Sequence, residues 1–245
     1  MIKAAFCTLI TMSWLSRFFT THPALTPEQS RRLAAWQALP ASDLRQSFSL
    51  GRYVVIDVET SGLNLAKDHL IAIGAVAVQA GKINLADSLE IVLQQRQASD
   101  KDNILIHGIG GTAQEEGVQP VEALLLFLEY LGKSPLIAFH VEFDETMVKR
   151  ALKNKTGMDF KHPWVDLAYI APALYPSLAC EFRALDDWTN YFGIRNYARH
   201  NALADALSTA QLFLALGERM TEKSIANYKA LQETDKAQRW VNQIS

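Results

Sequence analysis

Asp57-Val58-Glu59 sets two carboxylates two residues apart. The residues leading into them, Tyr53 to Val58, are β-branched and apolar, which predicts a buried strand. Side chains two apart on a strand share a face, so both acids leave together near its C-terminal end. In open α/β sheets that end is where ligands bind. Two like charges held so close are unfavourable unless a cation lies between them or one is protonated. Mg²⁺ or Mn²⁺ suits such an all-oxygen set. A lone Asp-x-Glu, however, is equally what a solvated strand end looks like, so the pair alone decides nothing.

Three more residues widen the set. Phe143-Asp144 opens a predicted helix just after a short strand ending Ala138-Phe139. A carboxylate there also has an ordinary explanation in capping and the helix macrodipole. His200-Asn201-Ala202-Leu203-Ala204-Asp205 carries an imidazole and a carboxylate five apart. With a helix starting at Ala202, Asp205 lies in its first turn and His200 on the preceding loop, both able to face one cleft. An imidazole with a pKa of about 6.5 can take a proton near neutral pH. Four carboxylates and one imidazole meet the needs of phosphodiester hydrolysis with two cations about 4 Å apart, which hold the phosphate and acidify the attacking water.

The elements that must position these groups follow the same pattern. The predicted strands are 53–58, 70–79 and 83–93, joined after the second by Ala80-Gly81 into an antiparallel meander. Residues 94–118 are polar and contain glycines, so they are expected to be mostly loop. A helix over 120–132, a strand over 136–139 and a helix over 143–153 follow. Residues 165–167 form a short strand or a strand end running into a helix. Helices are expected over 185–191 and 202–216, and the polar tail 221–243 as a solvated surface helix. Near the start, Thr26-Pro27-Glu28 reads as N-cap, N1 proline and first-turn acid of a helix reaching Ala38. The class is α/β with a mixed sheet. The domain plan is a helical N-terminal extension (1–50), a catalytic domain (51–218) and a helical C-terminal tail (219–245).

Charge and cysteine content narrow the setting. Lys plus Arg is 24 and Asp plus Glu is 26, a formal net charge of -2. A protein that coats nucleic acid non-specifically would be basic, so any such contact is expected to be confined to a cleft. Cys7 and Cys180 form no C-x-x-C, which indicates neither zinc nor a disulfide and suits a reducing cytoplasm. The apolar run 4–15 resembles a signal-peptide core but lacks a small-residue cleavage site and is too short to span a bilayer. It is expected to be a peripheral helix, with Met12 as an alternative start, and no membrane partner is expected. Asp166 is read as a helix cap or a support for the ligands, and Gln211-Leu212-Phe213-Leu214 as a buried stretch of helix.

In order and spacing these segments resemble the DEDDh exonucleases, the group that includes the proofreading epsilon subunit of bacterial DNA polymerase III, RNase T and oligoribonuclease. The three motifs are Asp57-Val58-Glu59-Thr60-Ser61-Gly62-Leu63, Ala138-Phe139-His140-Val141-Glu142-Phe143-Asp144 and His200-Asn201-Ala202-Leu203-Ala204-Asp205-Ala206. Ile106-His107-Gly108-Ile109 matches a family segment lying over the substrate. The likeness covers roughly residues 51 to 216.

The resemblance implies an RNase H-like fold with a five-stranded mixed sheet flanked by helices. It implies two divalent cations, Mg²⁺ or Mn²⁺, with Asp57 bridging both, Glu59 and Asp205 completing one site and Asp144 helping to hold the second. It implies His200 as general base, and a pocket for the 3′-terminal nucleotide formed by Thr60, Ser61, Gly62, Leu63 and His107. The activity implied is 3′→5′ removal of nucleotides from a single strand, DNA foremost and RNA as the alternative. A polymerase or other protein docking on the N-terminal extension is the accompanying partner expectation. One position departs from the pattern. His140 stands where many members have Asn near the substrate backbone, which leaves the ligands intact and the substrate preference open. A plainer role for His140 is to support the strand end.

Overall fold

The computed structural model describes residues 24–244. The apolar run 4–15, with its expected helix, Cys7 and Met12, lies outside the described residues.

Five strands form one mixed sheet: β1 (Arg52–Thr60), β2 (Leu70–Gln79), β3 (Lys82–Val92), β4 (Leu136–Ala138) and β5 (Trp164–Asp166), in the order β3-β2-β1-β4-β5. The first three pair antiparallel, as a meander must, and β4 and β5 add parallel to β1. The central strand alternates between two cores. Val54, Ile56 and Val58 face one, with α4 (Pro120–Leu131) and α5 (Val141–Thr156). Tyr53 and Val55 face the other, with α6 (Leu167–Leu174), α7 (Leu185–Tyr191) and α8 (Ala202–Ala215). By the same alternation Asp57 and Glu59 extend the row of Tyr53 and Val55, toward α8.

α1 (Pro27–Ala38) starts as expected, with a full capping box between Thr26 and Gln29. Its Leu33 and Trp36 are buried, and the indole Nε1 donates to the Gly132 carbonyl at 2.7 Å. Arg32 forms ion pairs with Glu122 and Glu129 of α4. Residues 44–48 then meet the start of α10 (Tyr228–Ile244), where Lys229 N donates to the Leu44 carbonyl at 2.8 Å.

Two expectations need correction, and one of the alternatives at 165–167 is decided. Residues 94–118 contain two short helices, α2 (Lys101–His107) and α3 (Gly111–Glu115). Both are too short to show an apolar period; Asp100 caps α2 by accepting from Asn103 N at 2.8 Å. At 165–167 a strand end does run into a helix: 167–174 are helical despite Pro172, because burial of Leu167, Ile170, Ala171 and Leu174 outweighs the hydrogen bond that proline forfeits. The tail is not merely solvated. It forms α9 (Gly217–Glu222) and α10, and Tyr228, Leu231 and Asp235 are buried at helical spacing. The Tyr228 hydroxyl donates to the Leu136 carbonyl at 2.6 Å, tying α10 to the sheet.

Candidate active site

The site begins with a glycine. Gly74 of β2 lies directly opposite Asp57 of β1. A Cβ on Gly74 would come within 2.1 Å of the Ala202 carbonyl carbon and 2.2 Å of Leu203 N. The first turn of α8 therefore rests on bare backbone, as close to the sheet as a helix can come. Asn201 caps that helix, accepting from Ala204 N at 2.9 Å while its side chain donates to Glu90 at 2.7 Å. Ile109 packs with Ile71, Ala72 and Ala202 and holds the α2–α3 segment against the same turn.

This close approach brings Asp205 down onto the β1 acids. Asp57, Glu59 and Asp205 each offer a carboxylate oxygen, all within 4.8 Å of one another. Asp144, in the first turn of α5, completes the set; it is buried, and main-chain N–H groups, its own and that of Val58, offset part of the cost. Burial, then the charges of Asp144, Asp205 and Glu59, push the Asp57 carboxyl well above the usual range, with Arg199 opposing. Burial followed by the charge of Asp205 pushes Glu59 up to about 8, again against Arg199. Asp144 is also raised well above the usual range, by burial first and then by Asp166 and Glu59. Asp57 is thus the acid that feels all three others.

Two residues missed in the sequence serve Asp205. Its oxygens accept from the Asn196 side chain, the Arg199 guanidinium and the His200 main-chain N–H, the last at 3.1 Å. Arg199 is also paired with Asp186 at 2.8 Å. Its place immediately before His200 was the available signal. His200 is exposed on the loop before α8, in the left-handed region at φ 62°.

The residues expected to form the nucleotide pocket divide. Thr60, Ser61 and Gly62 form a tight turn: Thr60 Oγ1 donates to the Gly62 carbonyl at 2.7 Å, and Ser61 Oγ donates to Asp68 at 3.0 Å. Leu63 stands out at its tip, 86% exposed. His107, in contrast, is buried with both ring nitrogens engaged. Nδ1 accepts from Ile109 N at 2.9 Å, and Nε2 bonds Asn103 Oδ1 at 2.9 Å. It shapes the segment that packs on the first turn of α8, and both its ring nitrogens are taken up within that segment.

His140 is exposed and left-handed at φ 65°, where α5 begins. Its N–H donates to Asp166 Oδ1 at 2.9 Å, and Val141 N donates to Asp166 Oδ2 at 3.0 Å. Asp166 also accepts from Ala168 N at 2.9 Å and Arg239 Nη2 at 3.2 Å. It is a clasp at the β4–α5 and β5–α6 junctions. Leu212 and Phe213 are buried in α8, as their spacing indicates.

Residues 54–213 match a family model described as Exonuclease (RNase_T). The chain belongs to this exonuclease family. Among relatives, the PolC-type DNA polymerase III of Thermotoga petrophila is 30% identical over 186 residues, 76% of this chain but 13% of that one. The DNA polymerase III epsilon subunit of Aquifex aeolicus is 27% identical over 195 residues, covering 79% of this chain and 94% of the relative. The chain thus spans about an eighth of the PolC-type relatives' length. The fold matches that of E. coli exonuclease I in its complex with single-stranded DNA (TM-score 0.58, 17% identity, 70% of this chain and 41% of that chain). It also matches cell-death related nuclease 4 (TM-score 0.59, 14% identity, 69% and 64%). The RNase H-like sheet expected from the motifs is therefore present, and this exonuclease domain carries α9 and α10 beyond the matched region.

The acid set fits divalent cations. All donors are hard carboxylate oxygens. Acids driven upward by burial and then by one another lack positive charge, and Arg199 supplies only one unit of it. Among the described residues, no helix is long and apolar enough to cross a membrane.

Proposed function

We propose that this chain is a metal-dependent 3′→5′ exonuclease that removes nucleotides from single-stranded ends, DNA foremost. The observation that carries the reading is the convergence of Asp57, Glu59 and Asp205 within 4.8 Å beside buried Asp144. Two bound divalent cations, Mg²⁺ or Mn²⁺, would supply stabilisation of the phosphate charge and a more acidic attacking water. In keeping with the family resemblance, Asp57 would hold both, Glu59 and Asp205 would hold one of them, and Asp144 would help to hold the other. Exposed His200, anchored through its N–H to Asp205, takes the proton from the water. The Thr60–Gly62 turn offers main-chain groups to the terminal nucleotide, and Leu63 offers an apolar face to its base.

A 3′-labelled single strand tests this directly. Asp57→Ala should abolish release of mononucleotides, and a blocked 3′ hydroxyl should slow the unmodified protein. Retained activity in the first case would sink the mechanism; unchanged cutting in the second would indicate an endonuclease. Parallel DNA and RNA strands set the sugar preference, since the 2′-hydroxyl distinguishes them.

A proofreading-type role with a protein partner is the second reading. It is favoured by coverage of 94% of the Aquifex polymerase subunit. Removing residues 1–23, while keeping the packed helix α1, should weaken association with a replicative polymerase and spare nuclease activity if that segment docks it.

A further inference from the structure

The acid set already holds one positive charge of the chain's own. Arg199 lies in the loop before α8, one residue ahead of His200. Its guanidinium spans two carboxylates. Nη1 donates to Asp205 Oδ2, while Nε donates to Asp186 Oδ2 at 3.0 Å, in the first turn of α7. Its charge also reaches Asp57 and Glu59, where it works against the upward push of burial and of the other acids.

The contact uses up an acceptor position on Asp205. An ionised carboxylate offers about two lone-pair sites on each oxygen. Oδ1 accepts from Asn196 Nδ2, and Oδ2 accepts from both Arg199 and the His200 main-chain N–H. Oδ2 is therefore full, and it can take a cation only by parting from one of these two donors. The His200 N–H is fixed by the backbone. Asn196 is tied into its own loop, its Oδ1 accepting from Ala198 N at 3.0 Å. Arg199 is different: it is a long, exposed side chain with a second carboxylate outside the cluster. It is the one donor to Asp205 that can let go and still keep a charged partner.

We propose that Arg199 is a tethered stand-in for a divalent cation. In metal-free protein it neutralises Asp205. On metal loading it gives up Oδ2 and stays anchored through Nε on Asp186. A guanidinium and a divalent cation repel, so one carboxylate oxygen does not hold both. Arg199 is thus a positioning residue that sets the metal concentration at which the acid set fills. The inference rests on the metal-dependent reading of that set.

Arginine side-chain NMR of the whole protein, with isotope-labelled arginine, reads the exchange without any turnover. The Arg199 signals are assigned by their loss in Arg199→Lys, which keeps the charge. Saturating Mg²⁺ should shift and mobilise the Nη signal and leave Nε in its Asp186-bonded position. Calorimetric titration with Mn²⁺ gives the second measure. Arg199→Gln should bind about tenfold more tightly than the intact protein, the factor for a site that is vacant roughly a tenth of the time. Arg199→Lys should restore the weaker affinity. An Nη signal unmoved at saturation would overturn the stand-in and leave Arg199 a fixed support of Asp205. So would an Arg199→Gln protein that binds no more tightly than the intact one, or an Arg199→Lys protein that binds as tightly as Arg199→Gln. If the intact protein binds neither ion, the metal-dependent reading falls and this inference with it.

Discussion

Asp57 shows what the cluster costs without metal and what metal should return. Its carboxyl, with those of Glu59 and Asp144, is held above its ordinary range by burial and by the neighbouring acids. A group raised in the folded state stabilises most below its unfolded pKa and loses that contribution as pH rises through the folded one. For Glu59 the window runs from 4.5 to about 8. Metal-free protein should therefore melt at progressively lower temperature as pH increases from 5 to 8.5. The gain in Tm on adding Mn²⁺ should grow over the same range, since bound metal favours the ionised acids. Calorimetric scans with and without metal would measure it, and a gain that shrinks with pH would contradict the electrostatic account. At this scale the five motif residues were legible because their types and spacing survive in the bare sequence. Arg199 and Asn196 were not readable as partners, because each acts through a contact set by folding, whereas Asp166 was read as a helix cap and does cap α6.

The elements depend on one close approach. Gly74 lets the first turn of α8 lie on the sheet, and Asp205 reaches Asp57 from that turn. Gly74→Ala should displace α8 or strain it, at a cost of about 1–3 kcal/mol typical of overpacking. Metal affinity should fall more than stability, because an ångström at Ala202 is carried to Asp205. Denaturant melts and Mn²⁺ titration of the same sample would separate the two, and unchanged metal binding would show that the contact is slack. Sequence reading found every strand and most long helices, because apolar alternation and capping are local signals. It passed over Gly74 because a glycine inside an apolar strand reveals nothing of what lies above it. It passed over α2 and α3 because helices of seven and five residues give no clean period, and it left α6 as one of two alternatives.

At the scale of the molecule, the two flanks brace the domain. α1 closes over α4 through Trp36 and Arg32, and α10 crosses behind β4 and β5 through Tyr228, Leu231 and Asp235. Arg239 then reaches Asp166, which holds the backbone where α5 starts. Truncation after Asn227 should destabilise the chain by roughly 3–6 kcal/mol from the lost burial of Tyr228 and Leu231 alone. It should also lower activity at temperatures where the remainder is still folded, because the turn carrying Asp144 loses its brace. Activity and circular dichroism followed together on the truncated chain would check both; full activity would mean α5 is held without α10. The polar composition of the tail had concealed this role, since only one buried stripe runs through it.

The order of the sheet has a further consequence. α10 lies along β5, and β3 forms the opposite edge of the sheet, its end meeting Val118. That margin carries Lys82, Asp87 and Glu90, with Asp87 bound to Arg52 of the central strand at 2.8 Å. Charged side chains on an edge strand discourage a neighbouring molecule from extending the ladder. The same meander that aims Asp57 and Glu59 into the cleft thus ends on a charged outermost strand, a margin that resists strand pairing better than a wholly apolar rim would.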